Sequence, residues 1–412
     1  CYYSFTWTQN DFLEVMVNAE HIKSLAEKNF QKVLEIRKHI HANPELSFEE
    51  FKTSEYIATI LDSLGIEYTK GIVKTGIVAM IKGKNPERRT LLLRADMDAL
   101  PIVEANNVEY VSKNHGVMHA CGHDVHSASL LGAAAILNEC KDSFEGTIKL
   151  IFQPGEEVLP GGASLMIQEG VLKNPEVNIA IAQHVHPSME TGKVGFRSGM
   201  YMASTDEIYL TVTGKGGHAA MPAEYNNPLL IASEILLELK KKFPNDGKSE
   251  IPTVLAFGKI EGKGATNVIP EKVELAGTFR TMNEKWRKEA HAEITRIVNE
   301  VAKKNNGTAD LRIEIGYPFL VNDEKVTELC RSAAIQYLGK ENVEELPLRM
   351  TAEDFAFFSQ QVPCCFYRLG TGNKSKGITS GVHTSTFDID ENALRIGSGL
   401  MAWLTIQQLN AQ

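Results

Sequence analysis

Residues 147–157 read Thr-Ile-Lys-Leu-Ile-Phe-Gln-Pro-Gly-Glu-Glu, a largely apolar run that ends in two adjacent carboxylates. The run is continuous rather than alternating, which is typical of a strand buried on both faces of a sheet. Comparable short runs lie at 77–81, 90–95 and 178–183, and helical patterns at about 124–140 and 162–169 separate the later ones. Strands that alternate with helices in this way predict an α/β fold with helices on both faces of the sheet.

The order of predicted strands and helices changes after Gly199. A strand at 207–213, a helix after Pro228, strands near 253–260 and 272–280, a charged helix at 284–305 and a strand near 311–316 follow in order. The order β-α-β-β-α-β is that of a small α+β unit with an antiparallel sheet. We therefore expect a smaller domain, residues 201–316, inserted into a larger one formed by residues 1–200 and 317–412.

Two helices are expected before the first apolar run. The first covers about 24–42 and ends before Pro44. Ser47-Phe48-Glu49-Glu50 has the pattern of a capping box, which predicts a second helix that stops at Gly65.

The composition narrows the functional classes. The 412 residues carry 43 Lys and Arg against 52 Asp and Glu, a net charge of −9, which argues against a general nucleic-acid binder. No apolar run approaches the roughly 20 residues of a membrane helix. Residues 1–10 are compatible with a signal-peptide remnant, which would indicate a periplasmic or secreted protein; a cytoplasmic location is otherwise favoured. The adjacent Cys364 and Cys365 are expected to be buried.

Two segments offer metal ligands and a proton carrier. Cys121 and His123 lie two residues apart, so both side chains can reach one ion, and Gly122 between them leaves room for it. Glu156 and Glu157 follow an apolar strand and point in different directions. One carboxylate can therefore bind a cation while the other handles a proton.

Two further histidines complete the set. His184 follows the apolar strand at 179–183, and His383 lies near the C-terminus. With Cys121, His123 and Glu157 they make five ligands, more than one tetrahedral zinc takes from protein. Two ions about 3.5–4 Å apart that share one ligand fit better, and a thiolate is suited to the shared position. A thiolate favours zinc, with manganese, nickel and cobalt as alternatives.

Seven motifs together resemble the metallo-amidohydrolases of metallopeptidase family 20. They are RADMDALP (94–101), MHACGHD (118–124), QPGEE (153–157), TGKGGHAA (213–220), NVIP (267–270), MTAEDF (350–355) and the segment around His383. The most similar branch contains N-acyl-amino-acid amidohydrolases, hippurate hydrolases and indole-acetyl-amino-acid hydrolases. The resemblance covers about residues 25–410, in order and with matching spacing.

The resemblance implies a di-metal aminopeptidase-like catalytic domain with an inserted lid that also forms a homodimer. It implies metal binding by Cys121, His123, Glu157, His184 and His383. It further implies that Glu156 is the general base, that Asp98 orients a ligand, and that Asn267, Arg280 and, from the partner subunit's lid, His218 face the substrate.

The activity that follows is hydrolysis of the amide bond of an N-acyl amino acid by a metal-activated water. A dipeptidase or carboxypeptidase with the same centre is the alternative within this class. An inactive metal-binding protein is a different class, which the presence of Glu156 disfavours. A redox protein built on Cys364 and Cys365 is disfavoured because the chain has no Cys-x-x-Cys motif.

Overall fold

The computed structural model describes residues 17–411, except residues 246, 248 and 249. Cys1 and the segment 1–10, on which the signal-peptide interpretation depends, lie outside the described residues. Among the described residues, no helix has both the length and the apolar character needed to cross a membrane.

The helices and strands alternate along the described chain. The helices are α1 (Ala19–Ala42), α2 (Phe51–Ser63), α3 (His123–Glu139), α4 (Gly162–Gln168), α5 (Pro228–Lys242), α6 (Glu284–Lys304), α7 (Glu324–Leu338), α8 (Ala356–Ser359) and α9 (Asn392–Asn410). The strands are β1 (Glu67–Ile72), β2 (Gly76–Lys82), β3 (Thr90–Asp96), β4 (Thr147–Gln153), β5 (Ile179–Glu190), β6 (Val194–Phe196), β7 (Gly199–Met202), β8 (Asp206–Thr213), β9 (Gly217–His218), β10 (Thr253–Glu261), β11 (Val268–Ile269), β12 (Lys272–Thr281), β13 (Thr308–Ile315), β14 (Leu320–Asn322), β15 (Val343–Glu345) and β16 (Cys364–Gly372).

The larger sheet has the strand order β1-β2-β4-β3-β5-β16-β6-β15. Its centre is parallel, because β3 runs parallel to both β4 and β5, and β5 runs parallel to β16. Every residue of β3 and β4 is buried. Leu91 and Leu93 pack into one hydrophobic cluster and Leu92 into another, so the sheet is covered on both faces, as the continuous apolar runs predict.

A second, antiparallel sheet has the order β10-β12-β8-β13. Its residues and those of α5 and α6 form a hydrophobic cluster of their own, which includes Ile208, Ile235, Val273 and Ile294. The predicted fold class, α/β with a smaller inserted α+β unit, is therefore confirmed.

The predicted capping box at residues 47–50 is wrong. Helix α2 begins at Phe51, and its N-terminal flanking residue Glu50 makes no side-chain capping hydrogen bond. The Ser47 hydroxyl instead donates to Asp98 Oδ2 at 2.6 Å, and Glu50 Oε1 accepts from Gly155 N at 2.9 Å. Partners distant in sequence have thus taken over the polar groups that would otherwise cap the helix.

The parallel centre of the larger sheet decides where polar side chains collect. The carboxyl ends of β3, β4 and β5 lie side by side, and each leads towards candidate functional residues. Asp96 ends β3, Glu156 follows β4, and His184 lies on β5. Ligands of open α/β sheets bind outside this edge.

Candidate metal centre and active site

The structure brings all five predicted metal ligands together. Five sets of three side chains in the described residues have their ligand atoms within 4.8 Å of one another, and two of them consist only of predicted ligands: Cys121, His123 and His184 in one, and Cys121, Glu157 and His383 in the other. Cys121 is the member that both sets share. The arrangement is the one expected for two ions with a common ligand.

The distances within the two sets suit coordination. Cys121 Sγ lies 3.5 Å from His184 Nε2 and 3.3 Å from His383 Nε2. His383 Nε2 lies 3.3 Å from Glu157 Oε1. Ligands that each bind one zinc at about 2.0–2.3 Å lie roughly 3–4 Å from one another.

An unsatisfied atom supports the same interpretation. His123 Nε2 is buried and has no hydrogen-bond partner in the described part of the chain. Buried polar atoms are rarely left without a partner, and a bound ion accounts for such an exception. A thiolate, imidazoles and a carboxylate are also the donors that zinc and similar divalent ions prefer, so these residues fit a metal centre.

Neighbouring groups orient the imidazoles. The Asp98 Oδ1 atom lies 3.1 Å from His123 Nδ1, and Asp98 Oδ2 accepts from Glu157 N at 3.0 Å. His184 Nδ1 donates to Val185 O at 2.8 Å. In both histidines a hydrogen bond at Nδ1 leaves Nε2 free to bind an ion, which is the role that such partners serve at metal sites.

Glu156 lies beside the two ligand sets without being a member of either. One of its carboxylate oxygens lies within 4.8 Å of the ligand atoms of His123 and Glu157, and its Oε1 atom accepts a long hydrogen bond from Asp354 N at 3.4 Å. Burial, followed by the nearby carboxylates of Glu353 and Glu157, raises the pKa of Glu156 well above its usual value. A carboxyl group in such surroundings binds a proton more readily than an exposed one.

A buried ion cluster lies next to Glu156, and its role is not evident from the sequence motifs. Arg94 on β3 donates to Asp96 at 2.5 Å, to Glu353 at 2.9 Å and to Asp354 at 2.8 Å. The guanidinium group is completely buried. The signal in the sequence is an arginine inside an apolar strand, because such a charge must be paired when the strand is buried.

Not all of the clustered histidines are ligands. His126 uses both nitrogens, since Nδ1 lies 2.6 Å from Asp96 Oδ1 and Nε2 accepts from Val185 N at 3.0 Å. Burial lowers the pKa of His119 to about 4, and its ring lies outside the two ligand sets that share Cys121.

The reason expected for Gly122 also needs correction. Its φ angle is +85°, and a Cβ atom there would lie 2.6 Å from Val185 Cγ2. The glycine is required by the left-handed backbone and by the close approach of β5, rather than by the room an ion needs.

A cavity of about 720 Å³ opens above the two ligand sets. The residues that line it lie near both the larger and the smaller sheet, and they include Glu156, His383 and Arg280. His218 and Asn267 do not line this cavity. They lie together elsewhere, with Ala219 N donating to Asn267 O at 3.0 Å, and both are exposed.

The fold and the site define a hydrolase with a candidate dinuclear metal centre. A family model described as Peptidase family M20/M25/M40 matches residues 92–405. The chain therefore belongs to this peptidase family.

The names of three relatives are consistent with this family assignment. N-acetyl-L-cysteine deacetylase of Bacillus subtilis (strain 168) is 36% identical over 393 residues, 95% of this chain and 91% of that protein. N-acyl-L-amino acid amidohydrolase of Geobacillus stearothermophilus is 38% identical over 303 residues, 74% of this chain and 81% of that protein. Thermostable carboxypeptidase 2 of Saccharolobus solfataricus is 38% identical over 382 residues, 92% of this chain and 95% of that protein.

A solved structure supports the same family. The Bacillus subtilis protein YXEP is described as a dinuclear metal binding peptidase from the M20 family. It superposes with a TM-score of 0.80 at 29% sequence identity and covers 94% of this chain and 100% of its own.

We predict that Arg94→Met destabilises the protein by about 3–5 kcal/mol, because it leaves several buried carboxylates without their cation. Arg88→Met is the matched control, since Arg88 pairs with Glu145 at the surface, where solvent screens the charges. Urea unfolding measures both. Equal shifts in the two variants would contradict a special role for the buried cluster.

Proposed function

We propose that this protein is a metal-dependent amidohydrolase that converts N-acyl amino acids into a carboxylate and a free amino acid. The observation that carries the proposal is Glu156, a buried carboxylate that belongs to neither set containing Cys121 but lies within 4.8 Å of the ligand atoms of His123 and Glu157, one from each set. A site that only stored metal would have no use for it. Two of the relatives are named for reactions on N-acyl amino acids.

In this proposal Cys121, His123 and His184 hold one divalent ion, and Cys121, Glu157 and His383 hold the other. Zinc, manganese, nickel and cobalt are the candidates. Such ions supply Lewis acidity, which polarises an amide carbonyl and lowers the pKa of water.

Glu156 then acts as the general base and acid. It accepts the proton of the attacking water and returns it to the nitrogen of the leaving amino acid. One carboxyl group serves both steps, because it must hold the proton while the amide bond breaks. Asp98 keeps His123 and the backbone of Glu157 in place through its two oxygens.

Arg280 supplies a binding group for the substrate carboxylate. It lines the cavity, and one of its terminal nitrogens is buried without a hydrogen-bond partner in the described residues. A guanidinium group pairs with a carboxylate through two parallel hydrogen bonds.

We further propose that residues 201–316 form a lid through which the protein makes a homodimer. His218 of the partner subunit would then stabilise the oxyanion, with Asn267 beside it. Both side chains are exposed and neither lines the cavity of its own chain, which favours such an arrangement.

Hydrolysis of dipeptides or of C-terminal peptide bonds is the second candidate function. The relative named as a carboxypeptidase favours it. The same ligands and the same general base would serve, because both reactions cleave an amide bond next to a carboxylate.

A substrate panel separates the two functions. We expect the purified protein, stripped of metal and reloaded with zinc, manganese, nickel or cobalt, to release free amino acid from acetyl, benzoyl or indole-acetyl conjugates. Cleavage of dipeptides alone would identify a peptidase. No turnover with two ions bound per chain would count against the amidohydrolase.

Substitutions of the two adjacent glutamates are expected to lower activity for different reasons. Glu156→Gln should lower turnover by roughly 10²–10⁴-fold while the protein keeps its metal, because only the proton carrier is lost. Glu157→Gln should lower the metal content itself. Metal analysis alongside kinetics distinguishes them, and a Glu156→Gln enzyme with full metal and normal rates would refute the assignment.

Subunit mixing tests whether His218 acts across a dimer. His218→Ala and Glu156→Gln should each be nearly inactive, whereas hybrids refolded from an equal mixture contain one intact site. Random pairing predicts about one quarter of wild-type activity in the mixture. If His218 serves its own chain, or if the protein is monomeric in solution, the mixture stays as inactive as its components.

A further inference from the structure

Two arginines in the cavity wall, besides Arg280, have no carboxylate partner. Arg349 and Arg368 line the cavity, and in the described part of the chain neither forms an ion pair with an acidic side chain. Other buried arginines of this protein do form such pairs. Arg37 lies 2.8 Å from Asp124, and Arg287 lies 2.5 Å from Asp206.

Arg368 lies close to the candidate metal centre. It is in register with His184 on the neighbouring parallel strand, and such strands lie about 4.8 Å apart. The side chain is only 4% exposed. Its polar partners are neutral: Nε donates to the Tyr201 hydroxyl at 2.9 Å, and a terminal nitrogen contacts Met202 Sδ at 3.1 Å. Its guanidinium group lies 5.1 Å from the centre of the Phe366 ring, but it has no anionic partner in the described residues.

Arg349 is held next to β7, the strand that carries Tyr201. Its backbone N donates to Tyr201 O at 3.0 Å, and its carbonyl accepts from Ala203 N at 3.1 Å. The Nε atom is buried without a hydrogen-bond partner in the described residues. Burial and the neighbouring Arg368 guanidinium lower the pKa of Arg349, which reflects two like charges close together.

The acidic residues at the cavity do not neutralise this pair. Glu207 accepts from the Tyr209 hydroxyl, and Glu314 pairs with Arg312. The carboxylates at the floor of the cavity belong to the metal ligands, to Glu156 or to the Arg94 cluster. Two close guanidinium groups without a counter-ion are unfavourable in a free protein, and an anionic ligand relieves both.

We propose that Arg349 and Arg368 form a second carboxylate subsite, so that the preferred substrates are N-acyl amino acids with two carboxylates. The inference rests on the proposed function, in which Arg280 binds the carboxylate common to all N-acyl amino acids. The second carboxylate lies within a few bonds of the cleaved amide, because Arg368 is one strand away from His184. It belongs either to the acyl group or to the amino-acid side chain.

Matched substrate pairs test the subsite and locate it. N-acetylglutamate against N-acetylglutamine reports on the amino-acid side, and N-succinylalanine against N-succinamoylalanine reports on the acyl side. Each pair differs in one charge at nearly equal size. We expect kcat/KM to favour the dianion by about 10- to 100-fold in one pair, as a charge-assisted hydrogen bond would give.

Substitutions of the two arginines test whether they cause the preference for the dianion. Arg349→Gln and Arg368→Gln should each lower the ratio of kcat/KM between dianion and neutral partner towards one. Arg331→Gln removes the same charge at the surface, where Arg331 pairs with Glu345, and should retain the wild-type ratio. Because the ratio is an internal comparison, a general loss of activity does not imitate the effect. Should Arg368→Gln fail to fold, the half-buried Arg349 still provides the test.

Three results would overturn the inference. One is the absence of a dianion preference in both pairs, and another is a ratio that survives both substitutions, which would mean a structural role for the arginines. The third is no turnover of any N-acyl amino acid, in which case the proposed function fails as well. If the substrates are turned over without a preference for the dianion, only the second carboxylate subsite is excluded, and the proposed function stands.

Discussion

The buried guanidinium group of Arg94 is the interaction on which the active site depends. It lies in the middle of the sheet and binds Asp96, Glu353 and Asp354, immediately beside Glu156. Unpaired carboxylates at such short range would repel one another strongly in a medium of low polarity. Arg94 therefore permits the concentration of acidic groups that a metal centre and a general base require.

The strand order determines which segments meet at that cluster. β3 lies between β4 and β5 and runs parallel to both, so three loops leave the sheet at one edge. The remaining candidate ligand, His383, comes from a loop after β16, and its backbone N–H donates to Ala120 O at 2.7 Å. His383 has a φ of +61°, an uncommon backbone state for a residue other than glycine. The backbone bond to the loop of Cys121 thus holds a strained residue where it can reach the thiol.

Much of this could be predicted from the sequence where local pattern and tertiary environment agree. Continuous apolar runs identified the buried strands, and residue types identified five candidate ligands that the structure brings together. The capping box at residues 47–50 failed because Asp98, 51 residues away, binds Ser47 instead. The ion cluster escaped prediction because Arg94 and Glu353 are 259 residues apart and no local spacing relates them.

The cavity separates charge in a way that matches an N-acyl amino acid. Its floor is acidic and suited to cations, whereas Arg280, Arg349 and Arg368 make parts of its wall cationic. A substrate with a neutral amide and an anionic end is oriented by this separation, since the arginines of the wall attract the carboxylate and divalent ions held at the floor would polarise the amide carbonyl. The amide is then left over the ligands and Glu156. Orientation of this kind lowers the entropic cost of reaching a reactive geometry, and it operates before any contact specific to the acyl group is made.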